Sequence, residues 1–270
     1  MSIPLPSVEV LFTPADFDTL PGRDLSRTTC VVFDVLRATT SMIAALANGA
    51  AAIVPVSEIS DALALRAKHP SVLLAGERHG LRIRAAQTGG VDFDFGNSPR
   101  EFTAGKVRGK TIVTTTTNGT RALRACAEAQ TTVVAAFLNL SAVAAWFETH
   151  PPESLVLVCA GTFEQAAYED VLAAGALLEL LEARFALTHA ADSALIASKV
   201  WNLAKADPLE AVKSARNAKR LLSVPELADD VAFSFQRDTA DVVAVLGKDG
   251  QVTVPARPRT LLGSDKAMKR

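Results

Sequence analysis

Short apolar runs without polar alternation recur along the first 160 residues, and each is followed by a stretch with helical spacing. Residues 29–33 (Thr-Cys-Val-Val-Phe) read as a strand, and 41–47 begin a helix that Asn48-Gly49 stops. Residues 52–56 form a second apolar strand, 58–68 a helix, and 72–75 a strand ending at Gly76-Glu77-Arg78. Strands that are apolar throughout, alternating with helices, predict a largely parallel sheet covered on both faces. The same order returns at 112–113, 120–127, 132–136, 142–149 and 155–159. In both sets the second helix ends near a proline (Pro70, Pro151) and the last strand closes on Ala-Gly (Ala75-Gly76, Ala160-Gly161). The offset is roughly 80 residues, well above a solenoid period. The expected fold is a three-layer α/β/α domain over residues 1–270, with a largely parallel or mixed central sheet. Two similar, intimately packed halves, about 28–82 and 108–165, are compatible with the pattern, as is a C-terminal extension of helices and a hairpin.

The remaining segments fit around that frame. The first two dozen residues carry Pro4, Pro6, Pro14 and Pro21 and one strand-like piece, 8–12. Residues 83–99 are polar and glycine-bearing, a loop longer than compact domains usually keep without a function. Residues 171–187 predict a long amphipathic helix and 208–222 a basic-faced one. Residues 242–254 read as a hairpin turning at Lys248-Asp249-Gly250, and the tail beyond Pro258 is expected to fray.

Composition narrows the partners. Lys+Arg 28 against Asp+Glu 29 gives a net charge of -1, so no excess of cation draws in nucleic acid, while a small anion bound by a local cluster stays compatible. Cys30, Cys126 and Cys159 are far apart inside apolar runs, which predicts buried reduced thiols and not a disulfide framework or a zinc site. No apolar stretch is long enough to span a bilayer and the first residues lack the pattern of a signal peptide. The expectation is a soluble, cytoplasmic protein with no membrane partner; a homodimer is left open.

One stretch brings chemistry into the picture: Thr111-Ile-Val-Thr-Thr-Thr-Thr-Asn-Gly-Thr-Arg121. A strand-like start runs into hydroxyls, then Asn118-Gly119, then Thr120 and Arg121 at the head of a helical pattern. Glycine permits close backbone approach and a helix start leaves N–H groups unpaired. The hydroxyls of Thr115, Thr116, Thr117 and Thr120, the Asn118 amide, the Gly119 N–H and the Arg121 guanidinium would together seat a tetrahedral anion such as phosphate.

In open parallel sheets ligands sit at the carboxyl ends of strands, and four groups fall at such ends: Asp34, Glu77, residues 114–121 and residues 161–170. Asp34 is a natural Mg²⁺ ligand, or else a turn or N-cap aspartate. Arg37, with Thr39 and Thr40, opens a helix and suits an anion, or else an ion pair. Glu77 could be a second metal ligand or a base, or with Arg78 a solvated loop pair. His79 could shuttle a proton or simply occupy the loop. Asn97 and Ser98 could donate to a substrate oxygen or to their own turn. Glu169 and Asp170 could complete a metal site or serve the helix dipole. Neither a Gly-x-x-x-x-Gly-Lys-Ser/Thr loop nor a Gly-x-Gly-x-x-Gly fingerprint is present, which argues against ATP hydrolysis and dinucleotide redox chemistry.

In order along the chain stand Phe33-Asp-Val-Leu-Arg-Ala-Thr-Thr40, Gly76-Glu-Arg78, Phe95-Gly-Asn-Ser-Pro99, Thr115-Thr-Thr-Asn-Gly-Thr-Arg121, Phe137-Leu-Asn-Leu-Ser141, Cys159-Ala-Gly161 and Glu169-Asp170. This series resembles the 2-phosphosulfolactate phosphatase family over residues 31–174 and, more loosely, over 217–230. The stretch Cys159-Ala-Gly-Thr-Phe163 lacks the serine found in some relatives. The resemblance implies a Mg²⁺-dependent phosphatase that cleaves 2-phosphosulfolactate, or a related small 2-phospho acid, to the hydroxy acid and inorganic phosphate. On that reading Asp34, Glu77 and Arg121 are catalytic, and Mg²⁺ is held by Asp34 with help from Glu77, Glu169 or Asp170. Residues 115–120 cradle the phosphoryl group with Thr39, Thr40, Asn97 and Ser98 nearby, and Arg37 and Arg78 clamp the leaving group's acid. The residues alone leave open a non-catalytic sensor of a phosphorylated metabolite, and a phosphotransferase or isomerase on small phosphorylated metabolites.

Overall fold

A computed structural model describes residues 3–5, 7–187 and 190–255; the tail expected to fray lies outside the described residues. Its strands in chain order are β1 (Ile3–Leu5), β2 (Val8–Leu11), β3 (Thr28–Phe33), β4 (Ala52–Pro55), β5 (Leu73–Arg78), β6 (Leu81–Arg82), β7 (Thr111–Thr115), β8 (Thr131–Ala135), β9 (Ser154–Cys159), β10 (Phe185–Leu187), β11 (Ala244–Leu246) and β12 (Val252–Thr253). Ten of them form one sheet in the order β2-β9-β3-β8-β11-β12-β4-β7-β5-β6, while β1 and β10 pair separately.

The apolar character of β3 follows from burial on both faces. Val31 and Phe33 point into a core shared with helices Leu140–Thr149, Tyr168–Glu182 and Asp192–Ala204. Cys30 and Val32, one step out of phase, point into a second core under helices Ala38–Ala47 and Gly119–Ala125. The result is the three-layer α/β/α arrangement with a mostly parallel, mixed sheet.

The strand order interleaves the two units seen in the sequence. β3, first strand of the first unit, lies parallel between β8 and β9 of the second. β7, first strand of the second unit, lies parallel between β4 and β5 of the first. Neither unit keeps a sheet of its own. The β11–β12 hairpin joins these two parallel blocks, running antiparallel to β8 on one side and to β4 on the other. Its turn closes with Gly250 N–H donating to Gly247 O at 2.9 Å, in the segment where the sequence predicts a turn.

Some elements depart from expectation. The helix expected over 171–187 is Tyr168–Glu182, and the apolar residues after it form β10, paired in parallel with β1. The basic helix expected over 208–222 is two short ones, Pro208–Val212 and Arg216–Leu222. The loop 83–99 is anchored by buried Phe93 and Phe95, with Phe95 N–H donating to Leu74 O at 3.0 Å. Among the described residues no helix is long and apolar enough to cross a membrane.

Candidate active site

The carboxyl ends of β3, β5, β7 and β9 converge on one cavity of about 150 Å³. Asp34 follows β3 directly. Its backbone N–H donates to Thr39 Oγ1 at 3.0 Å, and its Oδ1 accepts from Ala38 N–H at 3.1 Å, so the start of the next helix holds the carboxylate in place. Oδ2 faces Gly119: a Cβ at that position would stand 2.7 Å from Oδ2 and 2.7 Å from Ala38 Cβ. Only glycine lets the Asn118–Thr120 backbone come this close. Burial pushes the Asp34 carboxyl up to about 6 despite the Ala38 N–H, with the negative charges of Glu77 and Glu169 adding to the rise and Arg37 opposing it.

β5 turns into β6 through His79 and Gly80, with φ of 57 and 82 and Arg78 paired to Leu81. Two consecutive residues at positive φ make the tight turn that suits a two-residue hairpin, and it projects His79 into the cavity. Glu77 is buried beneath it. Its Oε2 accepts from Gly80 N–H at 2.6 Å, and its Oε1 accepts from Thr117 N–H at 3.0 Å and Thr117 Oγ1 at 2.9 Å. Glu77 thus locks the turn to the threonine loop.

On the far wall, Asn118 Nδ2 donates to Gly161 O at 2.8 Å, and Asp170 ties the same loop to β3. Asp170 Oδ1 accepts from Val35 N–H at 2.8 Å and Oδ2 from Gly161 N–H at 3.1 Å. Glu169 is buried, with Oε1 accepting from Asn217 Nδ2 at 2.6 Å. Burial raises both carboxyls, helped in Asp170 by the charges of Glu169 and Asp34 and countered in Glu169 by the Asn217 hydrogen bond.

The cavity therefore gathers Asp34, Arg37, Glu77, Arg78, Asn97, Thr116, Thr117 and Asn118 from the residues expected by sequence, with Gly119 against Asp34. The donor set is smaller than expected. Thr117 gives both its protons to Glu77, and Thr39 and Thr40 turn their hydroxyls to backbone of the Asp34 loop. Thr115 Oγ1 donates to Ser57 O at 2.8 Å, and Thr120 Oγ1 to Thr116 O at 3.0 Å. Thr116 accepts from Thr120 N–H, which leaves its own hydroxyl proton, with the second Asn118 amide proton, for a ligand.

A family model described as 2-phosphosulpholactate phosphatase matches residues 16–249. The chain is 38% identical over 218 residues to a probable 2-phosphosulfolactate phosphatase of Thermotoga petrophila, covering 81% of this chain and 88% of the relative. A protein of the same description from Pseudothermotoga lettingae is 34% identical over 242 residues, 90% of this chain and 96% of the relative. A third, from Deinococcus radiodurans, is 39% identical over 219 residues, 80% of this chain and 86% of its own. The chain belongs to the 2-phosphosulpholactate phosphatase family. The family's members are phosphoric monoester hydrolases by description, and the cavity is where this member would carry out such chemistry.

Within this family member the arginines are distributed differently from the sequence expectation. Arg121 lies outside the cavity wall, in a neighbouring cleft of about 440 Å³ that shares Thr116 and Thr117, and pairs there with Asp18 and Glu164. Arg37 is buried and pairs with Asp230 at 2.7 Å while donating to Gly80 O at 2.6 Å, so its charge is already balanced. Ser98 donates to the same Asp230 at 2.6 Å and does not line the cavity. Arg78 stays in the wall, bonded to backbone carbonyls and to Thr115 Oγ1 at 3.0 Å, without a carboxylate partner among the described residues. Two side chains that sequence reasoning missed are Asp230 and Arg220. Arg220 lines the cavity from the basic stretch after Pro208; its only sequence signal is the positive face of that stretch.

Among the described residues no three His, Cys, Asp or Glu side chains stand together as a metal-holding group. Of the three carboxylates expected to help Asp34, those of Glu77 and Asp170 have both oxygens hydrogen-bonded to N–H or O–H donors. Asp34, at the cavity, keeps one oxygen free of a donor among the described residues and is raised by burial that Ala38 N–H and Arg37 only partly offset; Glu169, raised in the same way, lines a separate cleft with Asn217. Hard oxygen donors short of positive charge fit Mg²⁺, which takes one or two carboxylates and fills its remaining positions with water and phosphate oxygens.

Proposed function

We propose that the chain hydrolyses 2-phosphosulfolactate or a related 2-phospho acid to the hydroxy acid and inorganic phosphate, with Mg²⁺ as cofactor. Relatives described as probable 2-phosphosulfolactate phosphatases support the substrate class. The observation that carries the reading is the meeting, in one small cavity, of the Asp34 carboxylate, the Thr116 and Asn118 donors and the Arg78 guanidinium, which has no acid partner among the described residues.

Asp34, the carboxylate at the cavity with an oxygen free of a hydrogen-bond donor, would hold Mg²⁺, which when bound offsets charge on the phosphoryl oxygens. The Thr116 hydroxyl and Asn118 amide orient the phosphoryl group, and Gly119 lets the loop that carries them approach Asp34. Glu77 keeps Thr117 and the His79–Gly80 turn from moving as the substrate enters. Water attacks phosphorus, the ester P–O bond breaks, and the leaving oxygen takes a proton, for which His79 at the cavity wall is a suitable donor; the proton lost by the water passes to the phosphate or solvent, and solvent restores that of His79.

Purified protein incubated with 2-phosphosulfolactate and with 2-phospholactate, with Mg²⁺ or with EDTA, tests this. The expected result is equimolar phosphate and hydroxy acid, released with Mg²⁺ and suppressed by EDTA. Substrate left intact under both conditions, or phosphate passed to an added acceptor alcohol in place of water, rejects the hydrolase reading.

A further inference from the structure

Around the cavity every arginine but one has its donors or its charge satisfied. Arg37 has Asp230, Arg216 donates to Gln165 and to Thr162 O, and Arg78 is spread over carbonyls and Thr115. Arg220 has a buried Nε with no hydrogen-bond partner among the described residues, and the side chain lines the cavity. A guanidinium keeps its charge at any ordinary pH, and a buried donor without a partner is costly to the fold. At the cavity wall, an acceptor on a bound ligand would meet that donor.

The surroundings are shaped for one. Arg220 lies over Gly80, where a Cβ would stand 3.6 Å from its Cζ and 3.8 Å from one terminal nitrogen, so the turn gives it room. Glu169 feels its charge at a distance, yet makes its hydrogen bond to Asn217. The cavity of about 150 Å³ has the volume of roughly five waters, enough for a three-carbon acid with one phosphate.

We propose that Arg220 is a second anion subsite, holding the carboxylate or sulfonate of a 2-phosphorylated acid while Thr116 and Asn118 hold its phosphate. This rests on the reading of the threonine loop as the phosphoryl seat, and it makes Arg220 the residue that selects acids over simple phosphate esters. A planar fork of donors matches the oxygens of either acid.

The test compares kcat/KM for 2-phospholactate and for p-nitrophenyl phosphate in wild type, Arg220→Gln and Arg220→Lys. The expected result is a fall of about tenfold or more in the acid-to-ester ratio for Arg220→Gln, in line with loss of a charge-assisted bond, and partial recovery for Arg220→Lys. A ratio in Arg220→Gln unchanged from wild type overturns the proposal. Adding 2-phosphosulfolactate separates the two acids: a larger drop on it than on 2-phospholactate assigns the sulfonate to Arg220, and an equal drop the carboxylate. Should wild type hydrolyse none of these, the melting temperature with 2-phospholactate and with inorganic phosphate decides. Extra protection by the acid that vanishes in Arg220→Gln keeps the subsite while the hydrolase reading falls; no extra protection overturns both.

Discussion

A methyl group added at residue 119 would arrive within 2.7 Å of Asp34 Oδ2 and of Ala38 Cβ, closer than such atoms approach. Gly119→Ala is therefore expected to displace the Asp34 carboxylate and to lower kcat/KM at least tenfold, with about 1–3 kcal/mol of lost stability from overpacking. Steady-state kinetics beside a denaturant titration checks it, and wild-type turnover would show that Asp34 moves without loss. Asp34 itself has a pH signature. Its folded value, about 6, lies above the ordinary 3.8, so the native state holds the proton more tightly than the unfolded chain does. Stability contributed by this group is present below about pH 4 and is lost as pH rises through about 6. In EDTA, Asp34→Asn should match wild type at pH 4 and melt above it at pH 7.5; a constant difference across that range would remove Asp34 as its source.

At the scale of elements, the site is held by side chains that reach between segments remote in sequence. Asp230, on helix Pro225–Ser234, accepts from Arg37, from Ser98 and from Arg100 Nε at 2.8 Å, and is fully buried. Arg37 passes the constraint to Gly80 O, Gly80 N–H to Glu77, and Glu77 to Thr117. Asp230→Ala leaves the buried Arg37 cation unpaired and is expected to cost about 3–5 kcal/mol. Urea unfolding checks it, and a loss below about 1 kcal/mol would mean that Arg37 finds water instead. This network also marks the limit of sequence reading. Strand ends carrying Asp34, Glu77 and the threonine run were legible, because unbroken apolar runs and glycine breaks announce them. That Arg37 and Arg121 are spoken for was not, since their acids Asp230 and Asp18 stand 193 and 103 residues away. Each arginine looks, within its own segment, like one awaiting an anion. Arg220 had no signal beyond its basic stretch, and only the fold brings it to the cavity.

Across the whole molecule, interleaving of the two units explains why distant residues meet. With β3 between β8 and β9, and β7 between β4 and β5, the ends of four parallel strands face one rim. The sequence pattern showed the alternation that builds a parallel sheet, but the central place of the β11–β12 hairpin follows only from pairing to β8 and β4. Convergence at the rim brings Asp34, Glu77 and Glu169 near enough to raise the Asp34 carboxyl, so the folded chain concentrates negative charge that the unfolded chain disperses. A cation binding there should stabilise the fold as a whole. At a Mg²⁺ concentration a hundred times its dissociation constant the gain is about 2.7 kcal/mol, a rise of several degrees in melting temperature for a chain of this size. Because the cation competes with the proton on Asp34, the shift should be large at pH 7.5 and much smaller at pH 5, below the carboxyl's value of about 6. EDTA should reverse it, and Asp34→Asn should abolish it. A shift equal at both pH values, or one that survives the substitution, would place the cation away from the rim on which the strand ends converge.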